Sequence, residues 1–182
     1  MWIFGTLILL GVGVGAILYK QLVQAQNLLD EAWHDVENQI NRRHGLIASL
    51  VEMIKEHNRK NLALFESITK AYNQCIEAST LNERGKAETE LSRQLAALLP
   101  LAESRPELKT NIEFQRLKRE LPVIERRIEK AVTSYNKSAR DFNRRLQSPA
   151  YNLLARQFTF QQEDLFNMEY ADQLPVITSP RP

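Results

Sequence analysis

The sequence has few of the residues that interrupt helices. Four of its six glycines lie within the first 15 residues, so only Gly45 and Gly85 remain for the other nine tenths of the chain. There are only seven prolines among the 182 residues. A β-sandwich or barrel needs many tight turns, and a chain this poor in turn residues favours long helices. The sequence therefore predicts an all-α protein.

Residues for catalysis and metal binding are also scarce. The single cysteine, Cys75, excludes an intrachain disulfide framework, and we interpret it as a small buried hydrophobic side chain. His34, His44 and His57 have no metal-ligand spacing with one another or with the cysteine. A phosphate-binding glycine loop and a nucleophile elbow are absent, and no pair of carboxylates stands in an apolar run. We therefore predict no enzyme activity, cofactor, metal or small-molecule substrate.

The net charge of +2 is small, so we expect no nucleic-acid partner. The one strong charge bias is local. Between Arg105 and Arg145 there are twelve Lys or Arg residues and six Asp or Glu residues. One interpretation is a basic face, including Arg126 and Arg127, for anionic lipid or an acidic partner. The other, which we prefer, is a solvated helix face with intrahelical ion pairs.

What the chain does contain is an uncharged apolar run from Trp2 to Tyr19. Eighteen helical residues rise roughly 27 Å, enough to cross a thin hydrocarbon core. Trp2 and Tyr19 stand at its ends, where amphipathic aromatic rings settle at the headgroups. Residues 1–19 are therefore predicted to be a transmembrane anchor, with the lipid bilayer as a partner.

Gly11 and Gly15 form a small-xxx-small pair on one face of this run. Such a face lets two membrane helices approach closely, which predicts a homo-oligomer. The alternative is that these glycines only reflect the general frequency of glycine in membrane helices.

The cations nearest to the run, beginning with Lys20, all follow it. The positive-inside rule then places the N-terminus outside and the body in the cytoplasm, as a single-pass protein of the cell (inner) membrane. A cleaved secretory signal is the alternative, with Val23-Gln24-Ala25 as its cleavage site and a secreted or periplasmic helical protein as its product. The absence of a basic segment before the apolar run counts against it.

After residue 19 the apolar residues recur at three- and four-residue steps, as in amphipathic helices. We predict that the membrane helix continues without a break toward Ala78. A second helix follows the Thr80–Glu83 capping box, and a third covers about residues 107–147. Pro122 is expected to kink the third helix or to break it near residues 118–121. A short fourth helix follows Pro149.

The predicted architecture is thus a single transmembrane helix that continues into a long antiparallel three- to four-helix bundle over residues 20–157. Residues 158–182 form an acidic tail whose proline-rich end is expected to be extended or disordered. Its phenylalanines Phe158, Phe160 and Phe166 either dock onto the bundle, which we prefer, or form a binding surface.

Two groups of residues resemble the motifs of the LemA family. The first group is an Ala-Trp pair followed by a Gln-aliphatic-x-Arg-Arg run and a Leu-Ile/Leu-Val stretch, formed by Ala32, Trp33, Gln39, Ile40, Arg42, Arg43, Leu46, Ile47, Leu50 and Val51. The second group matches the family's P-x-L-K-x-N segment and its later positions, with Pro106, Leu108, Asn111, Phe114, Glu125, Tyr135, Asn136 and Asn143. The sequence departs from the family pattern at Ala48, Glu56-His57, Pro122 and Val132.

This resemblance implies a single-pass membrane protein with a short external N-terminus and a helical cytoplasmic domain. The family carries no assigned enzymatic activity or catalytic residues. Its members are often encoded near membrane-bound metalloproteases, and related proteins occur in magnetosome membranes. The resemblance thus implies a scaffold for membrane organisation or envelope quality control, or an adaptor for a membrane protease or another envelope complex.

The matched residues also have structural interpretations of their own. Trp33 is expected to pack beneath the third helix. Arg42 or Arg43 is expected to pair with a carboxylate such as that of Glu125. Tyr135 and Asn136 are expected at a helix–helix contact.

Overall fold

The structure is a computed structural model that describes residues 2–57 and 62–168. Within these ranges the chain is mostly helical and contains no strand, which confirms the all-α prediction. The six helices are α1 (Trp2–His57), α2 (Leu62–Glu77), α3 (Leu81–Glu103), α4 (Pro106–Lys109), α5 (Ile112–Gln147) and α6 (Pro149–Gln157). The predicted extended end of the tail, from residue 169 onward, lies outside the described residues.

The first helix is long and passes through Gly45 without interruption, as predicted. The prediction that it continues to Ala78 is wrong. The His44 ring lies 5.0 Å from the Tyr72 ring, and the Lys55 ammonium lies 5.5 Å from the Phe65 ring. A single straight helix would separate His44 from Tyr72 by roughly 40 Å. The chain therefore reverses between α1 and α2, where seven consecutive polar residues, Lys55–Asn61, interrupt the apolar stripe.

The third helix begins at the predicted capping box. The backbone N–H of Glu83 donates to the Thr80 hydroxyl, and the Glu83 carboxylate accepts from the backbone N–H of Thr80. The same carboxylate accepts from Ser79 and Thr80, and these hydrogen bonds lower the pKa of Glu83. Helix α3 ends at Glu103, directly before the sequence Ser104-Arg105-Pro106.

The predicted third helix is in fact two helices. A single turn, α4, starts with Pro106 at its first position, and the chain leaves the helix at Thr110 and Asn111. The Asn111 side-chain oxygen accepts from the Phe114 N–H at 3.0 Å, so it caps the start of α5. Helix α5 then runs through Pro122 without the break that we gave as one alternative.

The chain divides into two compact units. The first comprises α1 up to Val36 together with Ala131–Leu165, and its core includes Leu22, Leu29, Tyr135, Phe142 and Leu146. The second comprises, among the described residues, Glu37–Lys130 and Phe166–Met168, and its core includes Ile40, Leu50, Leu91, Leu95 and Phe114.

The C-terminal tail packs into the second unit at Phe166 and Met168, which are 0% and 6% exposed. Gly85 on α3 makes this possible. A Cβ added to Gly85 would stand 2.0 Å from the backbone oxygen of Asn167, so only glycine lets the tail approach the helix this closely.

Candidate functional site

The most unusual feature of the second unit is a fully buried arginine, Arg43 of α1. Its Nη2 donates to the Glu88 carboxylate at 2.7 Å and to the Glu88 backbone oxygen at 3.1 Å. Its Nη1 donates to Ser92 Oγ at 3.0 Å and to Glu125 Oε1 at 3.1 Å. The planar guanidinium fork thus connects α1 with α3 and α5 inside the core. A buried arginine needs this many partners because an uncompensated charge there is costly.

Glu88 is the second member of the network and is also fully buried. The His44 Nε2 lies 3.0 Å from its Oε1 and 3.2 Å from its Oε2. Only the longer of these contacts has the geometry of a hydrogen bond, so Oε1 has no hydrogen-bond partner among the described residues. Farther along α3, Arg84 pairs with Glu37 of α1 at 3.0 Å.

The two carboxylates of the network differ in pKa. Burial pulls the pKa of Glu88 upward, but the hydrogen bond with His44 and the charge of Arg43 outweigh it and lower that pKa. Burial raises the pKa of Glu125, and the charge of Arg43 offsets this only in part. In the first unit, burial likewise raises the pKa of Glu163, and the charges of Asp30 and Asp164 add to the shift.

Cys75 of α2 completes the surroundings of Glu88. Its side chain is 5% exposed, as expected for a small buried hydrophobic residue. Burial raises the pKa of Cys75 to about 12, and the negative charge of Glu88 adds to the shift. At neutral pH the group is therefore a thiol and a poor nucleophile. Among the described residues, His44, Cys75 and Glu88 are the group that can hold a metal ion.

In the first unit, the motif residues Tyr135 and Asn143 of α5 hold the tail. The rings of Trp33 and Tyr135 are 5.2 Å apart, which confirms that Trp33 packs against the helix predicted to lie above it. The Tyr135 hydroxyl donates to the Asp164 backbone oxygen at 2.8 Å. Burial, together with the charges of Glu163, Asp164 and Asp30, raises the pKa of Tyr135 to about 12. Tyr135 is thus a hydrogen-bond donor to the tail.

Asn143 forms a two-bond bracket with the tail backbone. Its Nδ2 donates to the Glu163 oxygen at 2.8 Å, and its Oδ1 accepts from the Glu163 N–H at 2.9 Å. The amide side chain thus forms the same two hydrogen bonds with the Glu163 backbone that a residue of a neighbouring β-strand would form. The tail is therefore fixed at consecutive residues, Glu163 and Asp164.

The tail phenylalanines are placed differently from one another. Phe158 and Phe160 lie 4.7 and 6.2 Å from the Tyr19 ring, and Phe160 also meets Phe142 at 6.5 Å. Phe158 remains half exposed, whereas Phe166 is fully buried. Arg126 and Arg127 are exposed on α5.

The N-terminal part of α1 has no core around it. Of the helices that the structure describes, one is long and apolar enough to cross a membrane, and none of its most apolar 18-residue window is buried. Trp2 is 88% exposed and Leu9 is 75% exposed. Gly11 is exposed and Gly15 is half-buried, and a Cβ on either would meet no atom within 4 Å.

The family model of the LemA family matches residues 32–178. The chain belongs to the LemA family. The match begins at the Ala32–Trp33 pair and covers α5 and the tail as far as residue 178. No curated protein matches the chain.

With the LemA membership shown, the motif residues can be placed. Arg43 and Glu125 form the predicted ion pair, whereas Arg42 is exposed. Ile47, Leu50, Val51, Leu108 and Phe114 are buried, and Leu46, Gln39, Ala32 and Asn136 are half-buried. Pro106 opens α4 and Asn111 caps α5.

Sequence reasoning missed Glu88, Ser92 and the approach of His44 to Cys75. Glu88 and Ser92 are spaced i, i+4 on α3, and they lie on its buried face between Ala87 and Leu95. A charged residue within such an apolar stripe was the available signal, because buried charges require a partner.

Proposed function

We propose that this LemA family protein is a non-enzymatic membrane-anchored scaffold that self-associates and organises proteins at the membrane or in the envelope. The observation that carries the proposal is the exposed apolar surface that the described side chains of α1 form between Trp2 and Tyr19. Water penalises a contiguous apolar surface of this size, and a bilayer removes the penalty. The remainder of α1 packs through buried residues such as Val36 and Ile40, so the anchor and the scaffold share one helix.

Aromatic contacts at the end of the apolar run support this assignment. Tyr19, Phe158 and Phe160 form a cluster there, and Phe158 leaves half of its surface open. Two residues beyond Tyr19, the side-chain oxygen of Gln21 accepts a hydrogen bond from the Tyr151 hydroxyl of α6. Polar contacts thus begin where the apolar run stops, which is where we propose the bilayer interface. In this arrangement the N-terminus is outside, and the body follows Lys20 on the cytoplasmic side.

The first test separates a retained anchor from a cleaved signal. The full chain is expressed in a bacterial host, membranes are washed at alkaline pH, and the N-terminus of the recovered protein is sequenced. We expect membrane-bound chains that start at residue 1 or 2. A Val12→Asp variant places a charge near the middle of the apolar run and is expected to shift protein into the aqueous fraction. Mature wild-type protein in the aqueous fraction starting near Gln26 would contradict the anchor.

The second test addresses self-association through Gly11 and Gly15. Both lie on one face of α1, and Gly13 lies roughly opposite, at 100° per residue. A Cβ at any of the three meets no atom within 4 Å, so we expect isoleucine at these positions to leave the monomer fold unchanged. We expect crosslinked dimers in native membranes to be lost in a Gly11→Ile/Gly15→Ile variant and retained in Gly13→Ile. Equal crosslinking of both variants would argue against this face.

A second candidate function is an adaptor for a membrane-bound metalloprotease or another envelope complex. Arg126 and Arg127 favour it, since both are exposed on α5 within its basic stretch. An acidic partner would be attracted to these charges. In detergent-solubilised membranes, an Arg126→Glu/Arg127→Glu variant is then expected to lose a co-purifying protease that the wild-type chain retains. Unchanged co-purification would place the contact elsewhere.

A further inference from the structure

Three side chains with different donor atoms meet in the second unit. His44 comes from α1, Cys75 from α2 and Glu88 from α3. One ligand atom from each can be chosen so that all lie within 4.8 Å of one another. Residues this far apart in sequence are brought together only because α2 reverses along α1. The group is therefore a product of the tertiary fold.

The chemistry of the three donors suits one class of ligand. Imidazole nitrogen, cysteine thiolate and carboxylate oxygen are the groups that bind Zn²⁺, at roughly 2.0–2.3 Å. Glu88 has a fully buried carboxylate oxygen, Oε1, that accepts no hydrogen bond from the described residues. Its other oxygen, Oε2, is held by Arg43 at 2.7 Å, and such outer partners orient metal-binding carboxylates.

We propose that His44 Nε2, Cys75 Sγ and Glu88 Oε1 bind one divalent transition-metal ion, zinc by their chemistry, with water in the fourth position. On binding, the S–H bond of Cys75 breaks, its proton leaves to solvent, and a sulfur–metal bond forms without any change of oxidation state. His44 binds as the neutral imidazole with its proton on Nδ1, so the Nε2 proton that the Glu88 carboxylate accepts without metal is released to solvent, and a ring that was already neutral takes up a proton from solvent on Nδ1.

The surrounding charges compensate the charge of a metal ion at this buried position. The two positive charges of the metal are balanced by the thiolate of Cys75 and the carboxylate of Glu88. Arg43 keeps Glu125 as its partner at 3.1 Å, and Arg84 keeps Glu37 at 3.0 Å. His44 is the group that solvent reaches, with 11% of its side chain exposed, and it provides the way in.

The test uses the full-length chain in detergent micelles. The protein is stripped with a chelator, incubated with Zn²⁺ alone, dialysed, and analysed for metal per chain. Co²⁺ is then substituted, because a cobalt–thiolate bond gives a charge-transfer absorption that nitrogen and oxygen ligands do not give. The variants are Cys75→Ala, His44→Gln and, as a matched control, His34→Gln. His34 lies on the same helix, is exposed and is outside the group.

We expect one zinc per wild-type chain and the thiolate absorption with cobalt. Cys75→Ala is expected to remove that absorption, His44→Gln to weaken zinc binding roughly tenfold or more, and His34→Gln to change neither. Helix content by circular dichroism shows whether each variant is folded. The measurement on the wild-type chain is decisive even if a variant fails to fold. A folded wild-type chain that does not retain about one zinc per chain overturns the proposal. Zinc retained equally by the Cys75→Ala and His44→Gln variants overturns it as well.

Discussion

Arg43 and Glu88 form an ion pair of 2.7 Å in which both side chains are completely buried. Buried pairs of this kind contribute little over a well-packed apolar pair, but removing one member leaves a charge without a partner. The pair therefore fixes how α1, α3 and α5 meet, and its loss is expected to be felt by the whole second unit.

An Arg43→Leu substitution should lower the free energy of unfolding by about 3–5 kcal/mol, because Glu88 and Glu125 both lose their cation. Urea denaturation in detergent, followed by circular dichroism, measures the change. The matched control is Arg42→Leu, one residue away and exposed, which is expected to stay within about 0.5 kcal/mol of wild type. Equal stability of the two variants would contradict a structural role for the buried pair.

The two glycines outside the anchor should respond oppositely to alanine. Gly85→Ala places a Cβ 2.0 Å from the Asn167 oxygen, so the tail must move and Phe166 loses its buried position, at a cost of about 1–3 kcal/mol. Gly45→Ala meets no atom within 4 Å and should stabilise α1 by up to about 1 kcal/mol through helix propensity. The midpoints of thermal unfolding give the comparison, and a Gly85→Ala variant as stable as wild type would count against the close approach of the tail.

The hydrogen bonds that hold the tail to α5 can be removed separately by two substitutions. Asn143→Ala removes both hydrogen bonds to Glu163, and Tyr135→Phe removes the one to Asp164. We expect amide hydrogen exchange at Glu163 to accelerate in Asn143→Ala, where its N–H acceptor is lost, and to change much less in Tyr135→Phe. Each lost hydrogen bond costs about 0.5–1.5 kcal/mol. Unchanged exchange at Glu163 in the Asn143 variant would show that the bracket does not hold the tail.

Acid should reveal the opposite pKa shifts of Glu88 and Glu125. The folded pKa of Glu88 is lowered, so its contribution to stability is complete above the usual carboxyl pKa of about 4.5 and is lost as the pH falls below it. The folded pKa of Glu125 is raised, so its contribution runs the other way and is lost as the pH rises above about 4.5.

Glu88→Gln is therefore expected to flatten the decline of stability in acid, and Glu125→Gln to steepen it. Urea midpoints measured from neutral pH to about pH 3 give the slopes. Because both variants lose one carboxylate partner of Arg43, each serves as the control for the other. Slopes that change in the same direction would contradict the assignment.

The helical character of this chain follows from local sequence. The scarcity of glycine and proline, the apolar periodicity and the Thr80–Glu83 capping box all act within a few residues. They placed the start of α3 and, to within one residue, the start of α6 at Pro149. The apolar run of residues 2–19 is equally local, since length and lack of charge alone make it able to span a bilayer.

Local patterns were insufficient where continuing a helix and ending it have similar free energies. The polar sequence from Lys55 to Asn61 is compatible with either a continued helix or a chain reversal. The contacts of α2 with α1 show that the chain reverses. Thr110 and Asn111 can likewise sit inside a helix, but Asn111 caps the next one instead.

The sequence by itself determined the all-α class, the apolar N-terminal segment, the family motifs and the pairing of a motif arginine with Glu125. Only the tertiary structure decided that Arg43 rather than Arg42 is buried, that Glu88 is its second partner, and that His44 and Cys75 stand beside the same carboxylate. The reason is physical: helix periodicity is set by neighbours three and four residues away, whereas a buried charge is stabilised by whichever residues the reversing chain brings within hydrogen-bond distance.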